Sequence, residues 1–174
     1  MGEIAGVSVD WADVYRTTYD DLVRYLYRKV WDAERAQELA QEAFVRVLDH
    51  TPDNARAWLF SVAGNLARDE VRTVIRRRKH LTLIKAESTE VAAEPDPVET
   101  IDRDQKLGAA KRALDELSER DREVLLLWDA GLSYTEIAER TGLAVGAIGT
   151  TLSRARRKLV AAYDAVEGSH VARG

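Results

Sequence analysis

Residues 133–159 read SYTEIAERTGLAVGAIGTTLSRARRKL, and this stretch restricts the fold more than any other. Ser133, with Glu136 three residues on, is a capping box, the reciprocal bond pair that opens a helix. Gly142 closes that helix, and helical spacing resumes near Val145 and continues to about Val166. Small Ala138 on the first helix, Gly142 in the turn, and apolar Leu143, Val145 and Ile148 make the pair a helix-turn-helix. Nowhere does the chain alternate apolar and polar residues with the period of two that a half-buried strand requires. The expected fold is therefore all-α.

The helical signals fall into two groups. In the first, Val14, Leu22, Val23 and Leu26 lie at helical spacing, and Asp32 caps a second helix with the apolar stripe Ala36, Leu39, Ala40, Ala43, Phe44 and Val47. TPDNA at 51–55 breaks it. A third helix, from 56 to about 79, buries Leu59, Val62, Ala63, Leu66 and either Val74 or Ile75. The second group starts near Lys106, where Ser118 caps a helix whose apolar run at 124–128 stops at Gly131. Between the groups, residues 81–105 hold Pro95 and Pro97, which break helices, and 7 Asp/Glu against 2 Lys/Arg. Two small helical domains are expected, 1–80 and 107–174, joined by a flexible acidic linker over 81–106, with the helix-turn-helix in the C-terminal one.

Composition excludes whole classes of chemistry. The 174 residues include no cysteine, so disulfides and thiolate chemistry are absent. His50, His80 and His170 show no ligand spacing, so no metal is expected. No nucleophile with its base and no phosphate loop can be assembled, which points away from an enzyme and from any cofactor. No apolar run approaches the roughly 20 residues that span a bilayer, and MGEIAGVSVDWADV lacks a basic-then-apolar leader. A cytoplasmic protein without membrane insertion is expected. The net charge of −4 arises in the linker; residues 1–80 carry 13 Lys/Arg and 13 Asp/Glu, and 106–174 carry 11 and 10.

Three helix faces are left to carry function. On the last helix, Ile148, Leu152, Ala155 and Leu159 form the packing stripe, so Gly149, Thr150, Ser153 and Arg154 point elsewhere. In helix-turn-helix docking that N-terminal half meets base edges, where hydroxyls bond either kind of group and arginine pairs two-pronged with guanine. Arg156, Arg157 and Lys158 then follow phosphates; a solvated basic helix end is the bland alternative. On the third helix, Ser61, Asn65, Arg68, Arg72 and Arg76 share one face, with Trp58 a turn earlier. Cations beside a flat ring suit DNA whose strands are separating; the alternatives are a solvated face and a core tryptophan. On the second helix, Glu34, Glu38, Gln41, Glu42 and Val45 suit a basic protein partner, or simply face water.

At these residues the chain resembles the extracytoplasmic function (ECF) sigma factors of bacterial RNA polymerase. AQELAQEAFVRV with ARAWLFSVAGNLARDEVRTVIRRRKH is similar to sigma region two, and LDELSERDREVLLLWDAGLSYTEIAERTGLAVGAIGTTLSRARRKL to region four. The resemblance implies core RNA polymerase, promoter DNA and an anti-sigma factor as partners. It implies that Glu38, Gln41 and Glu42 grip the β′ clamp helices, and that region four meets the β flap. The loop with His50, Asp53 and Asn54, together with Trp58, Asn65 and Arg68, would recognise and open the −10 element, with Arg72 and Arg76 on phosphates. Gly149, Thr150, Ser153, Arg154, Arg157 and Lys158 would read the −35 element, and the linker would thread the polymerase cleft. Departures are Ala144, where a Ser or Pro is common, and Gly149 and Thr151, where the family often places cations toward the groove. On the residues alone, a stand-alone helix-turn-helix regulator is the competing reading.

Overall fold

The computed structural model describes the backbone of residues 8–85 and 99–171 and the side chains of 8–79 and 104–168. Among the described residues there are seven helices and no strand: α1 Trp11–Val30, α2 Ala33–Val47, α3 Ala55–Lys85, α4 Glu99–Asp115, α5 Glu119–Asp129, α6 Tyr134–Thr141 and α7 Val145–Val171. The all-α expectation holds. Helix extents differ at two ends: α3 runs on to Lys85, because no Gly or Pro lies between Lys79 and Lys85, and α4 starts at Glu99, two residues after Pro97. Linker residues 86–98 lie outside the described residues.

Local chemistry sets the helix ends. Asp10 and Asp32 cap α1 and α2, their carboxylates accepting from the Asp13 and Arg35 amides at 3.0 and 2.9 Å. Asn54 does the same for α3, accepting from the Ala57 amide at 3.0 Å. α1 ends on Trp31 in the left-handed region (φ 57°), its N–H bonded to the Tyr27 carbonyl. A side chain there costs about 1–2 kcal/mol, and the Trp31 ring recovers contact edge-on to Tyr27, 5.7 Å between centroids. At the end of α5, Gly131 (φ 80°) gives its N–H to the Trp128 carbonyl while Leu132 bonds back to Leu127, the paired closure of a Schellman motif. Gly142 (φ 71°) closes α6 with one bond to the Ala138 carbonyl.

Contacts group the chain into two compact units, Met1–Val74 with Leu126–Val145, and Ile75–Leu125 with Gly146–Gly174. In the first, α1 and α2 pack along each other, and Leu22, Leu26, Leu39, Val47, Leu59, Leu127 and Ile137 are fully buried, each contributing about 2 kcal/mol. Tyr25 stands edge-on to Phe60 at 5.2 Å. Half-buried Arg56 ties the segments of this unit, donating to the Asp21 carboxylate at 3.2 Å and to the Ala130 carbonyl at 2.8 Å. The second unit buries Ala109, Ala113, Leu114, Leu117, Val124, Ile148, Leu152 and Ala155. The whole α2 stripe read from the sequence is buried, whereas Val74 is only half-buried and Ile75 is exposed.

Candidate nucleic-acid interface

The faces of α7 separate as the spacing requires. Ile148, Thr151, Leu152 and Ala155 are buried, Gly149 is half-buried, and Thr150, Ser153, Arg154, Arg157 and Lys158 are exposed. Thr151 corrects the sequence reading: it belongs to the packed stripe, so a cation there would be buried rather than offered to a groove. The glycine at 149 and the hydroxyls at 150 and 153 leave a low surface over the first turns, and the charged groups begin at Arg154.

Arg154 is not a freely swinging cation. Its Nη2 and Nε donate to the Asp121 carboxylate at 2.5 and 3.4 Å, and Lys158 Nζ donates to the same group at 3.1 Å. Asp121 sits in the first turn of α5 with a side chain only 2% exposed, while its own amide caps onto Ser118 Oγ at 3.2 Å. Hydrogen bonds from Arg154, joined by Lys158, hold the Asp121 carboxyl at a pKa of about 2, against burial that would raise it. The same bond to Asp121 raises the Arg154 guanidinium. Sequence reading missed Asp121, because Ser118 and Asp121 form the local pattern of a helix start and nothing in the spacing reveals a partner 33 residues away.

The α3 face carries both cations and an aromatic. Trp58 is 40% exposed, with its ring 5.9 Å from the His50 ring, so it is a surface group and not a core residue. The turn beneath is pinned by Trp11, whose Nε1 donates to the His50 carbonyl at 3.1 Å. Asp53 is exposed, whereas Asn54 spends its side-chain oxygen on the α3 cap. Arg68 donates to Asn65 Oδ1 at 3.2 Å, which fixes the guanidinium beside the amide. Arg72 lies 3.9 Å from Asp69, a loose pair, and Arg76 continues the exposed row.

The acidic face of α2 is more compensated than its sequence suggests. Arg35 donates to Glu38 at 2.7 Å and to Glu70 of α3 at 2.9 Å, and Glu42 accepts from Arg46 at 2.6 Å. Glu70 first, then Glu38, raise the Arg35 guanidinium above its ordinary value. Glu38 and Gln41 remain exposed, flanked by exposed Val45 and Leu48. Acid, amide and apolar surface together fit a protein partner better than DNA, whose phosphates they would repel. Among the described residues, no group of three His, Asp or Glu side chains could hold a metal, and no helix is long and apolar enough to cross a membrane.

A capped short helix, a left-handed glycine and a long helix with a basic second half define the helix-turn-helix transcription proteins as the class. Comparison with known families narrows it. Residues 14–78 match Sigma-70 region 2 and residues 107–159 match Sigma-70 region 4. The ECF RNA polymerase sigma factor SigL of Mycobacterium tuberculosis is 33% identical over 170 residues, covering 91% of this chain and 94% of the relative. SigE of Mycolicibacterium smegmatis is 32% identical over 86% of this chain, which spans 60% of that relative's length. Among solved structures, CnrH in complex with the cytosolic domain of CnrY is similar with a TM-score of 0.59 at 27% identity, covering 89% of this chain and 88% of the other. RpoE of Bartonella quintana, solved with the anti-sigma factor NepR, shares the fold with a TM-score of 0.56 at 24% identity, covering 88% and 96%. The chain belongs to the extracytoplasmic function family of RNA polymerase sigma factors.

Proposed function

We propose that this chain binds core RNA polymerase in the cytoplasm and directs initiation at promoters with −10 and −35 elements, making and breaking no bond itself. It would use no cofactor and no metal. The observation that carries this reading is that two interfaces of different chemistry lie in family order along one chain. Glu38, Gln41 and Glu42 beside exposed Val45 and Leu48 are suited to a protein, here the β′ clamp helices. The neighbouring rings of His50 and Trp58, tilted against each other, with Asn65, Arg68, Arg72 and Arg76 are suited to a melting duplex, because a flat ring can take a displaced base while guanidinium groups hold phosphates. Thr150, Ser153, Arg154 and Lys158 are suited to the −35 groove. Region four would also meet the β flap, and an anti-sigma factor would cover these faces when transcription is not wanted.

The division of labour would assign 1–80 to core binding and −10 opening and 107–174 to −35 recognition, with the acidic linker threading the basic polymerase cleft; the match of 14–78 to region 2 and of 107–159 to region 4 supports it. Run-off transcription tests the reading. The full chain with core polymerase should yield transcripts of defined start, while the chain alone binds the same promoters weakly. Tight sequence-specific binding by the chain alone, unaltered by core, would instead establish a stand-alone helix-turn-helix regulator.

A further inference from the structure

The geometry points to Asp121 as a positioning residue for DNA reading: from α5 its buried carboxylate fixes Arg154 and Lys158 of α7 as one oriented pair, with the outer edge of Arg154 turned toward the duplex. This rests on the reading of α7 as the −35 helix. Thr150, Arg154 and Lys158 stand four residues apart, so they form a single row along the helix. Asp121 takes the Nε–Nη2 side of Arg154, and the side chain is still 45% exposed. A guanidinium has five N–H donors, so Asp121 leaves both protons of Nη1 and the second of Nη2 for another acceptor. That is the edge a two-pronged bond to guanine uses.

Two physical consequences distinguish positioning from mere packing. An arginine loses considerable rotamer freedom when it docks, and Asp121 removes that freedom before DNA arrives, so discrimination between bases sharpens. Asp121 also cancels one of the two positive charges, which lowers the attraction for phosphates of any sequence. Replacing the carboxylate should therefore move specificity and non-specific affinity in opposite directions. Loss of folding would lower both.

The test compares wild type, Asp121→Asn, Asp121→Glu and Arg154→Ala as full-length chains. Base preference is read by incubating each holoenzyme with a random-sequence duplex library and sequencing the bound fraction. Non-specific affinity is read from the chain alone on a mixed-sequence duplex over a salt series. Arg154→Ala should flatten the preference at one −35 position. Asp121→Asn should weaken preference at that same position about 5–10-fold, while non-specific binding tightens and its salt slope steepens by about one. Asp121→Glu, which keeps the charge on a longer arm, should lower the preference with the slope unchanged, and it stands in should the amide variant not fold. Full wild-type preference in both Asp121 variants, with Arg154→Ala still disruptive, overturns the positioning role and leaves the −35 reading standing. No effect of Arg154→Ala on any position overturns the −35 role of Arg154 itself.

Discussion

Lowering the pH should remove the Asp121 anchor within a defined window. Asp121 is held at a pKa of about 2 in the folded chain, against an ordinary 3.8. A carboxyl that binds its proton that much more weakly when folded favours the folded state by roughly 2.5 kcal/mol at neutral pH. Because the folded pKa is depressed, the contribution is complete above about pH 4, falls as the pH drops from there toward 2, and is gone below. Urea unfolding of wild type and Asp121→Asn at constant ionic strength should differ by about 2 kcal/mol at pH 7, with the gap nearly closed at pH 2. Other carboxylates protonate alike in both chains, so the difference isolates this one. Carbon-detected NMR titration of the Asp121 carboxyl gives an independent check. A gap that stays constant from pH 6 to pH 2.5, or an Asp121 midpoint near 4, would refute the reasoning.

Three further outcomes are expected. Ser133→Ala removes half of the α6 capping box, in which Ser133 Oγ accepts from the Glu136 amide at 3.3 Å, and should cost about 1 kcal/mol, seen as a thermal midpoint lower by ~2–4 °C; an unchanged midpoint would mean the cap is idle. Gly64→Ala places a methyl 2.8 Å from the Tyr25 hydroxyl and 2.5 Å from Arg140 Nη2. Because Tyr25 is buried against Phe60 and cannot withdraw, overpacking should outweigh alanine's better helix propensity, for a net loss of about 1 kcal/mol by denaturant titration. Stabilisation there would show that the ring gives way. Glu38→Lys should weaken binding to core polymerase about tenfold or more while the lost pair with Arg35 costs only about 0.5 kcal/mol in the melt, and equal affinity for core in a pull-down titration would remove Glu38 from that interface.

Much of the fold could be read along the chain because its causes are local. The capping aspartates, the α2 stripe, Gly131 and Gly142 act within a turn of themselves, and all behave as their positions require. Trp31 is a local surprise, a helix stop without glycine, because its ring contact with Tyr27 offsets a strained backbone. The ends of α3 and α4 were hidden because charge and low periodicity resemble a linker even where no residue forbids a helix. At the interface, spacing alone separated Thr150, Ser153 and Arg154 from the packed stripe. The same spacing puts Thr151, three residues after Ile148 and four before Ala155, on the packed face, where it is buried; spacing could not show that Trp58 lies against His50, since that depends on how the loop before α3 is placed.

Two serine–acid pairs draw the line between sequence and tertiary structure. Ser133 with Glu136 and Ser118 with Asp121 share one pattern, a capping hydroxyl with a carboxylate three residues on. In α6 both halves close locally, Glu136 returning to the Ser133 amide at 2.8 Å, and the sequence by itself determined that outcome. In α5 the serine caps as written, but the carboxylate turns to Arg154 and Lys158. Only the fold decided that, by bringing two cations from 33 and 37 residues away to a buried site where a carboxylate is stable only when paired.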